Sequence, residues 1–173
     1  MSIDTFAANM AGGGARANQF RVIMNTPTGI ATGLQTTTTS FLVRTASLPG
    51  QTITEIPINF RGRQLFIAGD RTFETWATTV FNDTDFMIRN GIETWMNRIN
   101  DLSNSRGLSN VRDYTADLTV NQLNRDNQVI KTYVLKNCWP TAIGAIELNM
   151  DTVSEIETFD ITWRYTSFDA SDV

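Results

Sequence analysis

Carboxylates are the groups in this chain most able to do chemistry. Asp83 and Asp85 stand two apart just ahead of an apolar-periodic run. A calcium-binding loop starting at Asp83 would need glycine at its sixth position and glutamate at its twelfth. Those positions hold Ile88 and Thr94, so the acids read as helix-capping groups that favour the positive end of the helix dipole. Glu155, Glu157 and Asp160 offer carboxylates of the kind that cleave glycosidic bonds, and Glu155 and Glu157 would share one face of a strand. Trp76, Trp95, Trp139 and Trp163 could stack a sugar or a base. Trp95 falls on an apolar helix stripe and Trp163 among core-type residues, which points to packing instead. Cys138 is the single cysteine, with only Lys136 as a nearby base, and reads as a small buried hydrophobe. After Gly12-Gly13-Gly14 comes Ala15-Arg16-Ala17, without the Lys-Ser/Thr of a phosphate-binding loop.

Composition narrows the chemistry further. The 173 residues include no histidine, so Ser-His-Asp and Cys-His arrangements and every histidine metal site are excluded. One cysteine excludes an internal disulfide and a CxxC zinc site. No cofactor is expected, and no enzymatic role. The net charge is −4, which argues against a phosphate-dominated nucleic-acid binder. That charge is unevenly placed. Residues 147–173 hold seven acids and one base, Arg164, whereas the first 146 carry thirteen bases and eleven acids. Twelve of the fourteen bases are arginine, the side chain best suited to forked contacts across an interface. No apolar run approaches the ~20 residues of a membrane helix, and the first 17 residues lack the pattern of a secretion signal. Assembly in a cytoplasm is the expectation.

The elements that must position these groups are mostly strands. Residues 1–18, small and polar, read as a flexible arm, and 19–173 as one domain. Strands are expected at 20–24, 41–46, 53–60 and 64–68, with turns at 48–50, 61–63 and 69–71. Residues 25–40 read as a loop or a strand extension containing Thr36 to Thr39. Thr72 to Phe81 reads as a strand rich in β-formers. Ile88, Ile92, Trp95, Ile99 and Leu102 step by 4, 3, 4 and 3, which predicts a helix over 84–102 with one apolar stripe. A hairpin is expected over 113–123 and 128–136, broken after it by Trp139-Pro140, with a short strand at 143–148. The final strand, 155–168, places Phe159, Ile161, Trp163 and Tyr165 on one face and Thr158, Asp160, Thr162 and Arg164 on the other. Eight or so strands and one helix, without a βαβ rhythm, predict a mainly β fold, a β-sandwich or barrel with one flanking helix. Arg61, Arg63, Asp70 and Arg71 form a turn-rich polar cluster that is either solvated or an interface.

Several segments carry a resemblance: Ser47-Leu48-Pro49-Gly50-Gln51-Thr52, Asn59-Phe60-Arg61-Gly62-Arg63, Gly69-Asp70-Arg71-Thr72-Phe73-Glu74-Thr75-Trp76, Phe81-Asn82-Asp83-Thr84-Asp85-Phe86, Gly91-Ile92-Glu93-Thr94-Trp95, Tyr114 to Arg125, Trp139-Pro140-Thr141-Ala142-Ile143, and Phe159-Asp160-Ile161-Thr162-Trp163-Arg164-Tyr165. In this order the chain resembles the tail tube proteins of contractile-tailed bacteriophages over residues 18–168. The resemblance implies a small β-sandwich whose strands join those of five other copies into one barrel around a channel. Rings would stack into a tube inside a sheath, bounded by baseplate and terminator proteins. A tape-measure protein would fill the tube before DNA passes through it without specific binding or membrane insertion. It implies a structural protein of the virion. Pro49, Arg61, Arg63, Asp70 and Arg71 become candidate assembly contacts, and Asp117, Glu157 and Asp160 candidate lumen acids. The alternatives are a tube protein of a tailocin or contractile secretion system, and a carbohydrate-binding β-sandwich.

Overall fold

The computed structural model describes residues 2–9, 14–34 and 36–172. The fold is mainly β, with one long helix against it. The strands are β1 (Phe20–Met24), β2 (Val43–Ala46), β3 (Thr52–Phe60), β4 (Arg63–Thr72), β5 (Trp76–Phe81), β6 (Ala116–Leu123), β7 (Val129–Ile143), β8 (Thr158–Arg164) and β9 (Ser167–Asp172). The helices are α1 (Ile3–Asn9), α2 (Thr36–Leu42), α3 (Met87–Ile99) and α4 (Val111–Tyr114).

Strand β7 organises the domain. Its first half lies between β6 and β9, and its second half pairs with β8. One four-stranded antiparallel layer is therefore β1-β6-β7-β9, and a second is β7-β8-β5-β2. The hand-over falls at Asn137, which takes φ 54. A single left-handed residue there turns the strand from one layer into the other. The two layers enclose Val22, Met24, Leu118, Val120 and Leu135 from the first, and Trp76, Val80, Phe159, Ile161 and Trp163 from the second. Helix α3 contributes Ile88, Ile92 and Trp95. Trp95 meets Trp163 edge-on, with ring centroids 5.7 Å apart. Both indole N–H groups are satisfied: Trp95 donates to the Tyr114 carbonyl and Trp163 to the Thr78 hydroxyl.

The expected sandwich with a flanking helix is present, and its boundaries differ in instructive ways. The arm contains helix α1, with no buried residue, so its described part is not simply an extended tail. Gly12 and Gly13 lie outside the described residues. Gln122 donates to the Arg16 and Gln19 carbonyls, tying the chain to β6 just before β1 begins. Thr36 to Thr39 start helix α2 rather than a loop or strand. Helix α3 stops at Ile99, because Asn100 is already extended, and Leu102 stands in solvent. Gly91, a weak helix former, faces Leu34 so closely that a β-carbon there would fall 2.5 Å from the Leu34 side chain. Trp139-Pro140 does not break the hairpin. The ladder shifts register between Pro140 and Ala142, and β7 is an edge strand there, so the missing proline N–H costs no internal bond. Residues 144–157 contain no strand, and 155–168 divides into β8 and a bend leading to β9.

Candidate assembly surface

Strands β3 and β4 form a ribbon that joins neither layer. The sequence builds it locally. Thr52, Ile53, Thr54, Ile56 and Ile58 make β3 rich in β-branched residues, β4 carries the run Leu65-Phe66-Ile67, and the turn residues Arg61 and Gly62 take φ 48 and φ 83. Two positive φ values make the tight turn whose twist matches the strands it connects. Register pairs Ile56 with Ile67, Ile58 with Leu65, and Phe60 with Arg63, giving one mostly apolar face. Gly69-Asp70-Arg71 is therefore not a turn. It lies within β4, opposite a bulge between Ile53 and Glu55, where the Thr54 hydroxyl donates to the Asp70 carbonyl. The ribbon's stem is held by the domain: Trp76 Nε1 donates to the Ser47 carbonyl at 2.7 Å, and Tyr165 Oη to the Gly50 carbonyl at 3.4 Å.

All nine residues of β3 are exposed, and nine of the ten in β4. Phe60 is 67% exposed, Leu65 61% and Phe66 57%. An isolated two-stranded ribbon is marginal in water, and an apolar patch of this extent marks a contact surface. The five residues expected at assembly contacts all map here: Pro49 at the half-buried stem, Asp70 and Arg71 near the base, Arg61 and Arg63 at the tip. The Arg61 guanidinium lies 5.3 Å from the Phe60 ring centroid, on a turn position that suits glycine or asparagine better.

The outer face of the β1-β6-β7-β9 layer mixes polar residues with Ile23 and Val134, and its charges balance. Ile23, Thr119, Val134 and Asp169 form one row across the four strands, and Arg21, Asn121, Thr132 and Ser171 the next. Lys136 lies 2.9 Å from Asp117 and 4.0 Å from Asp169. Partial burial acts to raise the Asp117 pKa. Hydrogen bonds from Lys136 and the Asn137 backbone N–H, with the Lys136 charge, outweigh it and hold the carboxyl below its usual value. Hydrogen bonding and attraction from Asp117 raise Lys136 in turn. Of the three expected lumen acids, only Asp117 lies on this face. Asp160 is in β8 of the other layer, where it accepts from the Thr79 hydroxyl, and Glu157 accepts from Asn82 just before that strand. The three acids are not brought together.

Sequence reasoning missed one surface. Between Gly144 and Thr158 the chain exposes Leu148, Met150, Val153 and Ile156, each 68% or more. The signal was apolar residues among acids without any strand or helix period.

The groups first considered for chemistry are occupied structurally. Asp83 Oδ1 accepts from the Met87 N–H and so caps α3 from four residues away. Trp76, Trp95 and Trp163 are buried and Trp139 half-buried, so they form no exposed stacking platform. Cys138 is buried, donates to the Leu135 carbonyl, and has its thiol pushed up to about 12 by burial. Among the described residues, no group of three or more His, Cys, Asp or Glu could hold a metal, and no helix is long and apolar enough to cross a membrane.

Comparison with known proteins bears on these surfaces. A family described as phage tail tube protein matches residues 15–171. The tail tube protein of Serratia phage KSP90 is 30% identical over 159 residues, covering 92% of this chain and 90% of that protein. Tail tube protein gp19 of Enterobacteria phage T4 is 32% identical over 124 residues, covering 71% and 76%. Among solved structures, a chain of the 6-fold symmetrised anti-feeding prophage baseplate aligns with TM-score 0.62 at 13% identity, over 92% of this chain and 96% of that one. A chain of an extracellular contractile injection system, in its PVC sheath-tube complex, aligns with TM-score 0.56 at 13% identity over 100% and 99%.

Proposed function

The chain belongs to the phage tail tube protein family, and from that premise we propose that six copies close into a ring and that rings stack into the conduit for DNA. It is a structural tube subunit and a component of the virion tail. One observation carries the proposal. The domain leaves the apolar β3–β4 ribbon uncovered, and β1 and β9 end their layer without a further strand partner among the described residues. Unpaired edges invite strand addition, and joining β1 of one copy to β9 of the next removes both. The first layer would then form the channel wall, with its charge-balanced outer face turned inward.

That face suits passage rather than binding. Arg21, Lys136, Asp117 and Asp169 balance in charge, and Lys136 is engaged by carboxylates. A wall without basic excess gains little counterion release from DNA, so the duplex is not held. Glu157 and Asp160 would lie away from this wall. Sheath, baseplate and terminator proteins would meet the remaining surface, a tape-measure protein would occupy the channel before DNA, and no catalytic step is required. Mass photometry of the purified protein tests the ring: six-copy particles and their multiples are expected, and a monomer persisting at high concentration contradicts the reading.

A further inference from the structure

The ribbon needs a receptor, and a second uncovered surface on the same chain fits it. Segment 145–157 exposes Leu148, Met150, Val153 and Ile156, and all of these but Val153 line an open cleft together with Glu147 and Glu155. It contains four acids, Glu147, Asp151, Glu155 and Glu157, and no base. The ribbon has the opposite character: Ile56, Ile58, Phe60, Leu65 and Ile67 on one face, with Arg61 and Arg63 at the tip. We infer that the β3–β4 ribbon of one copy docks on segment 145–157 of another. The inference deepens the tube-subunit reading and rests on it.

Charge decides the pairing mode. Two ribbon tips would oppose arginines to arginines, and two 145–157 segments would oppose acids to acids. Both self-paired contacts are disfavoured, whereas tip on segment joins opposite charges over apolar surface. A contact between two different patches is head-to-tail and propagates from copy to copy, as a ring or tube requires. Both patches are exposed within one chain, so neither covers the other internally.

Charge exchange tests this in the full-length protein at about 0.1 M salt, where exposed pairs still act within a Debye length of about 10 Å. The ribbon variant is Arg61→Glu with Arg63→Glu, the segment variant Glu147→Lys with Glu155→Lys, and a third chain carries all four. Circular dichroism melts verify that each folds. Each two-site variant is expected to raise the concentration needed for sedimenting assemblies by about tenfold or more, and the four-site chain to recover most of the loss. A ribbon variant that fails to assemble beside an unaffected segment variant, without recovery, overturns this pairing and leaves the ribbon as an interface to something else. A ribbon variant that assembles normally overturns the ribbon interface itself.

Discussion

Replacing Ile58 and Leu65 by serine separates assembly from folding. The two residues face each other across the ribbon and are 43% and 61% exposed. Fully burying such a side chain is worth about 1.5–3 kcal/mol, and roughly half of each remains uncovered, so a docked neighbour gains about 1 kcal/mol per residue. Removing both should weaken each ribbon contact by about 2 kcal/mol, roughly 30-fold in its association constant. Every copy uses the contact once, so the concentration at which assemblies first sediment should rise by a similar factor. The monomer should barely respond, because the ribbon lies outside the layered core, and its melting temperature should move by less than about 3 °C. Sedimentation and thermal melting on the same preparations read both effects. Assembly at the wild-type concentration would refute the reasoning, and so would a large drop in melting temperature, which would make the ribbon part of the fold's own stability.

Four further outcomes follow from the interior and from the paired charges. Trp95→Ala should cost about 3–5 kcal/mol by leaving a cavity against Trp163 and an unpaired Tyr114 carbonyl, read as a large drop in urea midpoint. Asp117 is held below its usual pKa, so its stabilisation is present above the unfolded value near 3.9 and is lost as pH falls through the lower folded value. Melting curves should therefore fall below about pH 4, and Asp117→Asn should flatten that part of the profile. Lys131 and Lys136 are raised, the former chiefly by the hydrogen bond its ammonium donates to the Asp172 carboxylate. Their contribution is full below about pH 10.4 and lost as pH rises through the folded values, so an alkaline decline should begin there. Cys138, buried with its thiol pushed up to about 12, should resist a thiol reagent at pH 8 and react fully in denaturant.

Where a single physical pattern dominates, the sequence revealed the fold directly. The alternation through Phe159, Ile161, Trp163 and Tyr165 is the buried face of β8 and its exit, and the stripe Ile88, Ile92, Trp95 is the buried face of α3. The turn at Arg61-Gly62 was also legible, because tight turns are local chemistry. What failed depended on distant partners. Thr36 to Thr39 have weak helix propensity, yet α2 forms where Thr39 is buried and the helix packs beside β1. Pro140 seemed to end a strand, but an edge position with a bulge accommodates it. Gly69 and Asp70 carried a turn signal that the structure uses for a bulge. Of the assembly surface, the arginine cluster was legible by composition, and its gathering on one ribbon followed from pairing β3 with β4. Segment 145–157 was not legible, since irregular exposed chain leaves no period to read.

Cryo-electron microscopy of the protein assembled at high concentration tests the central claim most directly. Stacked six-copy rings are expected, with β1 of one copy paired to β9 of the next and Asp117 and Lys136 facing the channel. A protein that remains monomeric, or a tube whose wall is built from β2-β5-β8 instead, would contradict it.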